Sequence, residues 1–234
     1  MRNYKGQIQI WLGGLGFCGL ALMLILGIAR PALLIHADPR DFLLKAEDVA
    51  FLGSYVLPPH ERHPISNDLI VFLLGDQAGE RRLAQTGRVI GWRVHYVRGG
   101  GNGPTQITQT VTQYDSARGA QRNLKTYALS TVEPASWQRV DVPLDLADGG
   151  LVEIRREQYA SGEIRISLAV NFIYLNMGVR LETVGGEEQV QLEDLIDLAQ
   201  IVITRMEQVE PVSGPVPTPT PGFDTLEADV PIYR

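Results

Sequence analysis

Chemistry in this 234-residue chain has few places to reside. The segment His60-Glu61-Arg62-His63 offers two imidazoles and a carboxylate in consecutive positions. Histidines three apart can share a metal on a helix or in a tight loop, with Glu61 as the base. A metal-assisted hydrolase using His60, Glu61 and His63 is therefore the enzymatic alternative. The zincin arrangement, however, needs His-Glu-x-x-His on a helix, and Pro59 and Pro64 oppose one here. His95 is remote and falls on the polar face of an expected strand, so it supplies no third ligand. The preferred reading is an exposed loop, and no catalytic residue, metal or cofactor is assigned.

The other constellations read as structural. The glycine run Gly99-Gly100-Gly101-Asn102-Gly103 leads into Pro104 and a Thr/Gln-rich stretch instead of a helix, which makes it a hairpin loop and not a phosphate cradle. No Gly-x-Ser-x-Gly elbow occurs. The pairs Glu47-Asp48, Glu187-Glu188 and Glu193-Asp194 sit at expected helix starts, where carboxylates suit the helix dipole. Arg81, Arg82, Arg88, Arg93 and Arg98 form the one basic concentration. They could receive an anionic ligand, but an exposed face balanced by neighbouring acids is the favoured expectation. Trp92 and Trp137 are core or rim aromatics, and either could line a pocket between sheet and helices. A net charge of −6 argues against nucleic acid and against a polybasic lipid-binding surface.

These residues are carried by a recognisable order of elements. A short helical piece surrounds Ala46 to Val49, and Leu69 to Leu74 is an apolar run that periodicity alone does not assign. Ile90, Trp92, Val94 and Tyr96 alternate as a half-buried strand, with Gln106 to Tyr114 as its hairpin partner. Asp115 is the expected N-cap of a helix whose apolar face includes Ala117, Ala120 and Leu124. Leu151 to Tyr159, Ile164 to Tyr174 and a strand beginning at Met177 follow. Leu192, Leu195, Ile196, Ala199, Val202 and Met206 then mark a long final helix. The sum is an α+β fold, an antiparallel sheet with helices packed on one face.

The motif Tyr114-Asp115-Ser116-Ala117-Arg118-Gly119-Ala120 is an aromatic strand end running into an Asp-Ser-Ala helix start. It is followed by Val152-Glu153-Ile154-Arg155-Arg156, the long alternating strand and Leu192-Glu193-Asp194-Leu195. This order resembles uncharacterised bacterial membrane-anchored extracytoplasmic domains and, more loosely, PknH-like sensor domains with a PsbP/Mog1-like fold, over roughly residues 42 to 208. The resemblance implies a binding or accessory role. PknH-like domains are disulfide-bonded, whereas the single cysteine here, Cys18, excludes an intramolecular bridge.

Cys18 lies in the uncharged segment Ile8 to Ala29, whose 22 residues would cover about 33 Å as a helix, close to a bilayer core. A cleaved signal peptide, a lipoprotein signal at Leu15-Gly16-Phe17-Cys18 and a buried core helix fit less well than a signal-anchor. The expected organisation is a cytoplasmic stub at 1–7, a transmembrane helix at 8–29 that meets the lipid bilayer, a neck at 30–41, an extracytoplasmic domain at 42–210, and a Pro/Thr-rich tail at 211–234. On this reading the protein is a single-pass, non-catalytic membrane protein that binds a protein partner or a small ligand as sensor or accessory subunit. Its ligand-binding residues are unassigned.

Overall fold

The computed structural model describes residues 32–127, 136–142 and 144–217. The expected membrane segment, with Cys18, lies outside them. Among the described residues no helix is long and apolar enough to cross a membrane.

Strand β1 (Leu33–Leu34), a 3-10 turn (Pro39–Phe42) and helix α1 (Ala46–Val49) precede the short strands β2 (Ser54–Val56) and β3 (Arg62–Ile65). Helices α2 (Asn67–Leu74) and α3 (Asp76–Thr86) lead into the hairpin of β4 (Arg88–Gly100) and β5 (Gln106–Tyr114). Helix α4 (Ala117–Tyr127), strands β6 (Gln138–Val140), β7 (Gly150–Gln158), β8 (Ile164–Tyr174) and β9 (Met177–Gly185), helix α5 (Leu192–Glu207) and strand β10 (Val212–Ser213) complete the order. The main sheet runs β2-β4-β5-β9-β8-β7-β6 with every pair antiparallel, and β3 adds to β4 beside β2. Both edge-side strands are short, and Pro64 is tolerated in β3 because an edge strand need not donate on its outer side.

One face of the sheet packs on α5. Val94, Ile107, Val111, Val152, Val170, Phe172, Val179 and Leu181 meet Leu195, Leu198, Ala199, Val202 and Met206. The alternation expected for β4 and β8 thus places its apolar half on the final helix. The stretch leading into the sheet is buried too: Leu34 and Ile35, from the segment expected as a neck, and Phe42, Leu43 and Leu44 at the start of the expected domain. Three buried amides hold it there. Gln109 accepts from Leu44 N at 2.5 Å and donates to the Phe42 carbonyl, Gln113 donates to the Ile35 carbonyl, and Asn176 Oδ1 accepts from Ile35 N at 2.7 Å.

The helices do not all lie on one face. Tyr114, Ala120, Leu124 and Ile173 form a separate cluster with Leu151 on the opposite face, which α4 covers while packing beside α3. The strands explain this difference. Tyr114 and Ile173 sit out of phase with the α5-facing residues, and β8 is buried on both faces over most of its length, as expected for a strand covered from two sides. The cap of α4 is Ser116 and not Asp115, since Ser116 Oγ accepts from Gly119 N at 3.1 Å. Gly119 is also needed by contact, because a Cβ there would come within 2.0 Å of the Thr86 carbonyl at the end of α3. The motif from Tyr114 to Ala120 therefore reads physically: a buried aromatic, a cap, a close helix approach, and an alanine packed back on the aromatic.

Candidate functional site: an arginine-walled cleft

Helices α2 to α4 leave part of the second sheet face uncovered, and a cleft of about 380 Å³ opens there. Its floor is low because the central strands carry short side chains, Thr108, Thr110 and Thr112 from β5 and Gly178 from β9. Long side chains rise on either side. Thr110 pairs with Arg93 of β4 and with Arg180 of β9, and Thr108 pairs with His95 and Glu182. Strand spacing sets the backbones of Arg93 and Arg180 roughly 10 Å apart across that floor. One wall is His63 and Ile65 of β3 with Leu69, Ile70 and Leu73 of α2; the far wall is Trp137, Arg155, Glu157 and Arg165.

The cations of this cleft are unequally compensated. Arg180 is buried and well paired, with Nη1 2.6 Å from Glu153 Oε2 and 3.1 Å from Asn171 Oδ1, and Nε 3.2 Å from Glu182 Oε2. Glu153, 2% exposed, also accepts from Asn171 Nδ2 at 3.0 Å. The Trp137 ring lies 4.4 Å over the Arg180 guanidinium and 5.2 Å from that of Arg155. Arg88, by contrast, meets no carboxylate. It donates to Asn67 Oδ1 at 2.5 Å and to the Ile65 carbonyl at 2.6 Å, and burial brings its pKa down to about 10. Arg82 donates to Asn123 Oδ1 through Nε and Nη2 at 3.1 and 2.9 Å.

Three buried donors of residues lining this cleft, Arg93 Nε, Asn123 Nδ2 and Arg180 Nη2, have no acceptor among the described residues. The Asn123 amide cannot simply be turned over, because its oxygen is held by the Arg82 guanidinium. Buried polar groups are normally satisfied, so three orphans of one chemical sense in one cleft are a site feature. The cleft also carries the carboxylates of Glu157 and Glu182, while His95 and Tyr114 are held in their neutral forms near pH 7. Burial, then the Arg93 charge, lower the His95 pKa, and its Nδ1 lies 2.8 Å from Thr108 Oγ1. Burial pushes the Tyr114 phenol up to about 12.

The arginines expected to be a solvated face are thus divided. Arg82, Arg88 and Arg93 line the cleft, Arg81 is exposed on α3, and Arg98 Nη1 turns to the Gly103 carbonyl in the hairpin loop. Trp137 lines the cleft, while Trp92 is buried in the α5-side core with Arg40 5.0 Å over its ring. Arg155, Arg165 and Arg180 were not legible as site residues by clustering. Their signal is phase: each occupies a strand position out of register with the α5-facing apolar residues.

The His60, Glu61, His63 grouping does not form a site. His60 is exposed with φ of 67°, its carbonyl meets His63 Nδ1 at 3.0 Å, and His63 enters β3 and the cleft. Glu61 contributes its backbone carbonyl to His95 N at 2.9 Å. Among the described residues no three or more His, Cys, Asp or Glu side chains are grouped to hold a metal ion. His60, Glu61 and His63 therefore do not make the ligand set on which the metal-assisted hydrolase reading depends.

No protein-family model matches the sequence, and no curated protein matches it. Among solved structures the chain is similar to the extracellular domain of PknH from Mycobacterium tuberculosis. The identity is 12% and the TM-score 0.48, over 75% of this chain and 97% of that one.

Proposed function

We propose that the protein is a non-catalytic binding domain, anchored in a membrane through residues 8–29 and held outside the cytoplasm, whose cleft takes a small anionic ligand. The observation that supports this most directly is the presence along one cleft of Arg93 Nε, Asn123 Nδ2 and Arg180 Nη2, donors without acceptors among the described residues, with a buried Arg88 that meets none of the described carboxylates. An anion supplies what each of these groups lacks, and charge-assisted hydrogen bonds to guanidinium are among the stronger polar contacts available. Arg88 and Arg180 are fixed before any ligand arrives, Arg88 by Asn67 and Arg180 by Asn171 and Glu153, which lowers the ordering cost of binding. Sensor and accessory-subunit roles both use such a site.

The test is thermal unfolding of the full chain with soluble anions such as acetate, phosphate and citrate at matched ionic strength. A saturable rise in Tm with at least one of them, lost in Arg93→Gln, is expected. No rise beyond that of chloride would exclude an anion site. Topology is tested separately by a reporter fused after Arg234, which should be active outside the cytoplasm.

A further inference from the structure

The cleft is not uniformly polar, and its asymmetry narrows the ligand. Ile65, Leu69, Ile70 and Leu73 line the wall nearest Arg88, whose guanidinium is bonded to the Ile65 carbonyl and to Asn67 in the first turn of α2. Burying this helix would normally hide its apolar face. Instead Leu69 and Leu73 are 37% and 44% exposed at the rim, and Phe72 beside them is 79% exposed. Ile70 alone on α2 is buried. An apolar ridge thus begins inside the cleft, next to the uncompensated cations, and continues outward to the surface. A small inorganic anion would use the arginines and leave this wall wet.

We propose that the ligand is an amphiphilic anion, whose acidic head meets the donors of Arg88, Arg93, Asn123 and Arg180 and whose alkyl portion lies along Ile65, Leu69, Ile70 and Leu73. This rests on the anion-site reading above and adds the apolar half. A volume of about 380 Å³ is at the small end of ligand pockets. It suits a head and the first few carbons, with the remainder of a longer chain following the Leu69–Phe72–Leu73 ridge. The chemistry is shared by alkyl phosphates and alkyl carboxylates, and the experiment separates them.

The full chain in neutral phosphatidylcholine nanodiscs is titrated with octyl phosphate, octanoate, inorganic phosphate and acetate, following tryptophan emission and heat, with empty nanodiscs subtracted. Each methylene moved from water into the cleft strengthens binding by about fourfold, so two or three give about fifteen- to sixtyfold over the parent anion. The expected result is that gain for one octyl compound, reduced to within about threefold of its parent in Leu69→Gln/Leu73→Gln. Those side chains are at the rim, so folding is not at stake, and the parent anion's affinity in that variant should be unchanged. Arg93→Gln, which removes a side chain making no hydrogen bond among the described residues, should weaken both octyl and parent anions. Equal affinity for octyl compound and parent overturns the amphiphile and leaves the anion site standing. An octyl gain that survives the double Gln variant also overturns it, by assigning the gain to the bilayer. Binding of none of the four overturns both readings.

Discussion

Replacing Glu153 by Gln removes one negative charge from the most enclosed ionic cluster of the sheet while preserving side-chain shape. In the native state Glu153 Oε2 is 2.6 Å from Arg180 Nη1 and 3.0 Å from Asn171 Nδ2, and the two charged side chains are 3% and 8% exposed. Breaking a buried pair by removing one partner costs about 3–5 kcal/mol, because the remaining charge stays buried. Glu182, at 3.2 Å from Arg180 Nε and more exposed, retains part of the compensation, which favours the lower end, about 3 kcal/mol. For a domain of this size that is a fall in Tm of about 6–12 °C, read by thermal unfolding with near-ultraviolet circular dichroism. The paired substitution Glu153→Met with Arg180→Met should recover most of the loss, since a hydrophobic replacement of a buried ion pair is often neutral or stabilising. It should nonetheless abolish any anion-induced rise in Tm, because a cleft cation has gone. A loss below about 1 kcal/mol for Glu153→Gln would refute the idea that Arg180 depends on Glu153 for its charge.

Further outcomes follow from other parts of the molecule. Gly119→Ala should destabilise by about 3 kcal/mol or more in urea unfolding, because the new Cβ meets the Thr86 carbonyl at 2.0 Å and both are backbone-fixed. Ser116→Ala, which removes the cap of α4, should cost about 1 kcal/mol by the same measurement. Asp48→Asn breaks a two-pronged contact with Arg205 Nη2 at 2.6 and 2.7 Å, joining α1 to α5; a loss of about 1–2 kcal/mol is expected, with Arg205→Lys not neutral. His95 has a folded pKa below its ordinary value of 6.5, so the unfolded chain binds more protons between the two. Its contribution is therefore complete above pH 6.5 and lost as pH falls through the lowered value. His95→Gln should flatten the fall in Tm measured from pH 7 to pH 5.

The strands were legible because their alternation is strong. Ile90 to Tyr96 and Ile164 to Tyr174 repeat every second residue, and the Thr-rich partner after the glycine loop followed from hairpin logic. The final helix was legible for the same reason at helical period. What escaped were features fixed by partners distant in sequence. Leu34 and Ile35 read as part of a neck because the segment 30–41 has no period of its own; their place in the core is fixed by Gln113 and Asn176, more than 60 residues away. The second covered face escaped because α4 has few apolar residues, and only Ala120 and Leu124 contact Tyr114 and Ile173. The cleft was half legible. Arg82, Arg88 and Arg93 cluster along the chain, but Arg180 joins them only through the β5–β9 pairing, and its charge partner Glu153 comes from a further strand.

The small pairing of β1 with β10 sets how the domain responds to force. Leu33 lies opposite Ser213 and Leu34 opposite Val212, antiparallel, so the chain arrives and departs at the same end of a two-residue ladder. Tension between the flanking segments therefore opens this ladder bond by bond, and the long ladders of the main sheet are not in its direct path. With only two residue pairs the ladder is a clip, far shorter than the ladders of the main sheet. Behind it stands Asn176, which bonds Ile35 through both ends of its amide and the Tyr114 carbonyl through its nitrogen at 2.9 Å. Tyr114 in turn lines the cleft. One buried amide thus connects the clip to the binding face, and a pull that opened the clip would reach the cleft through that side chain first.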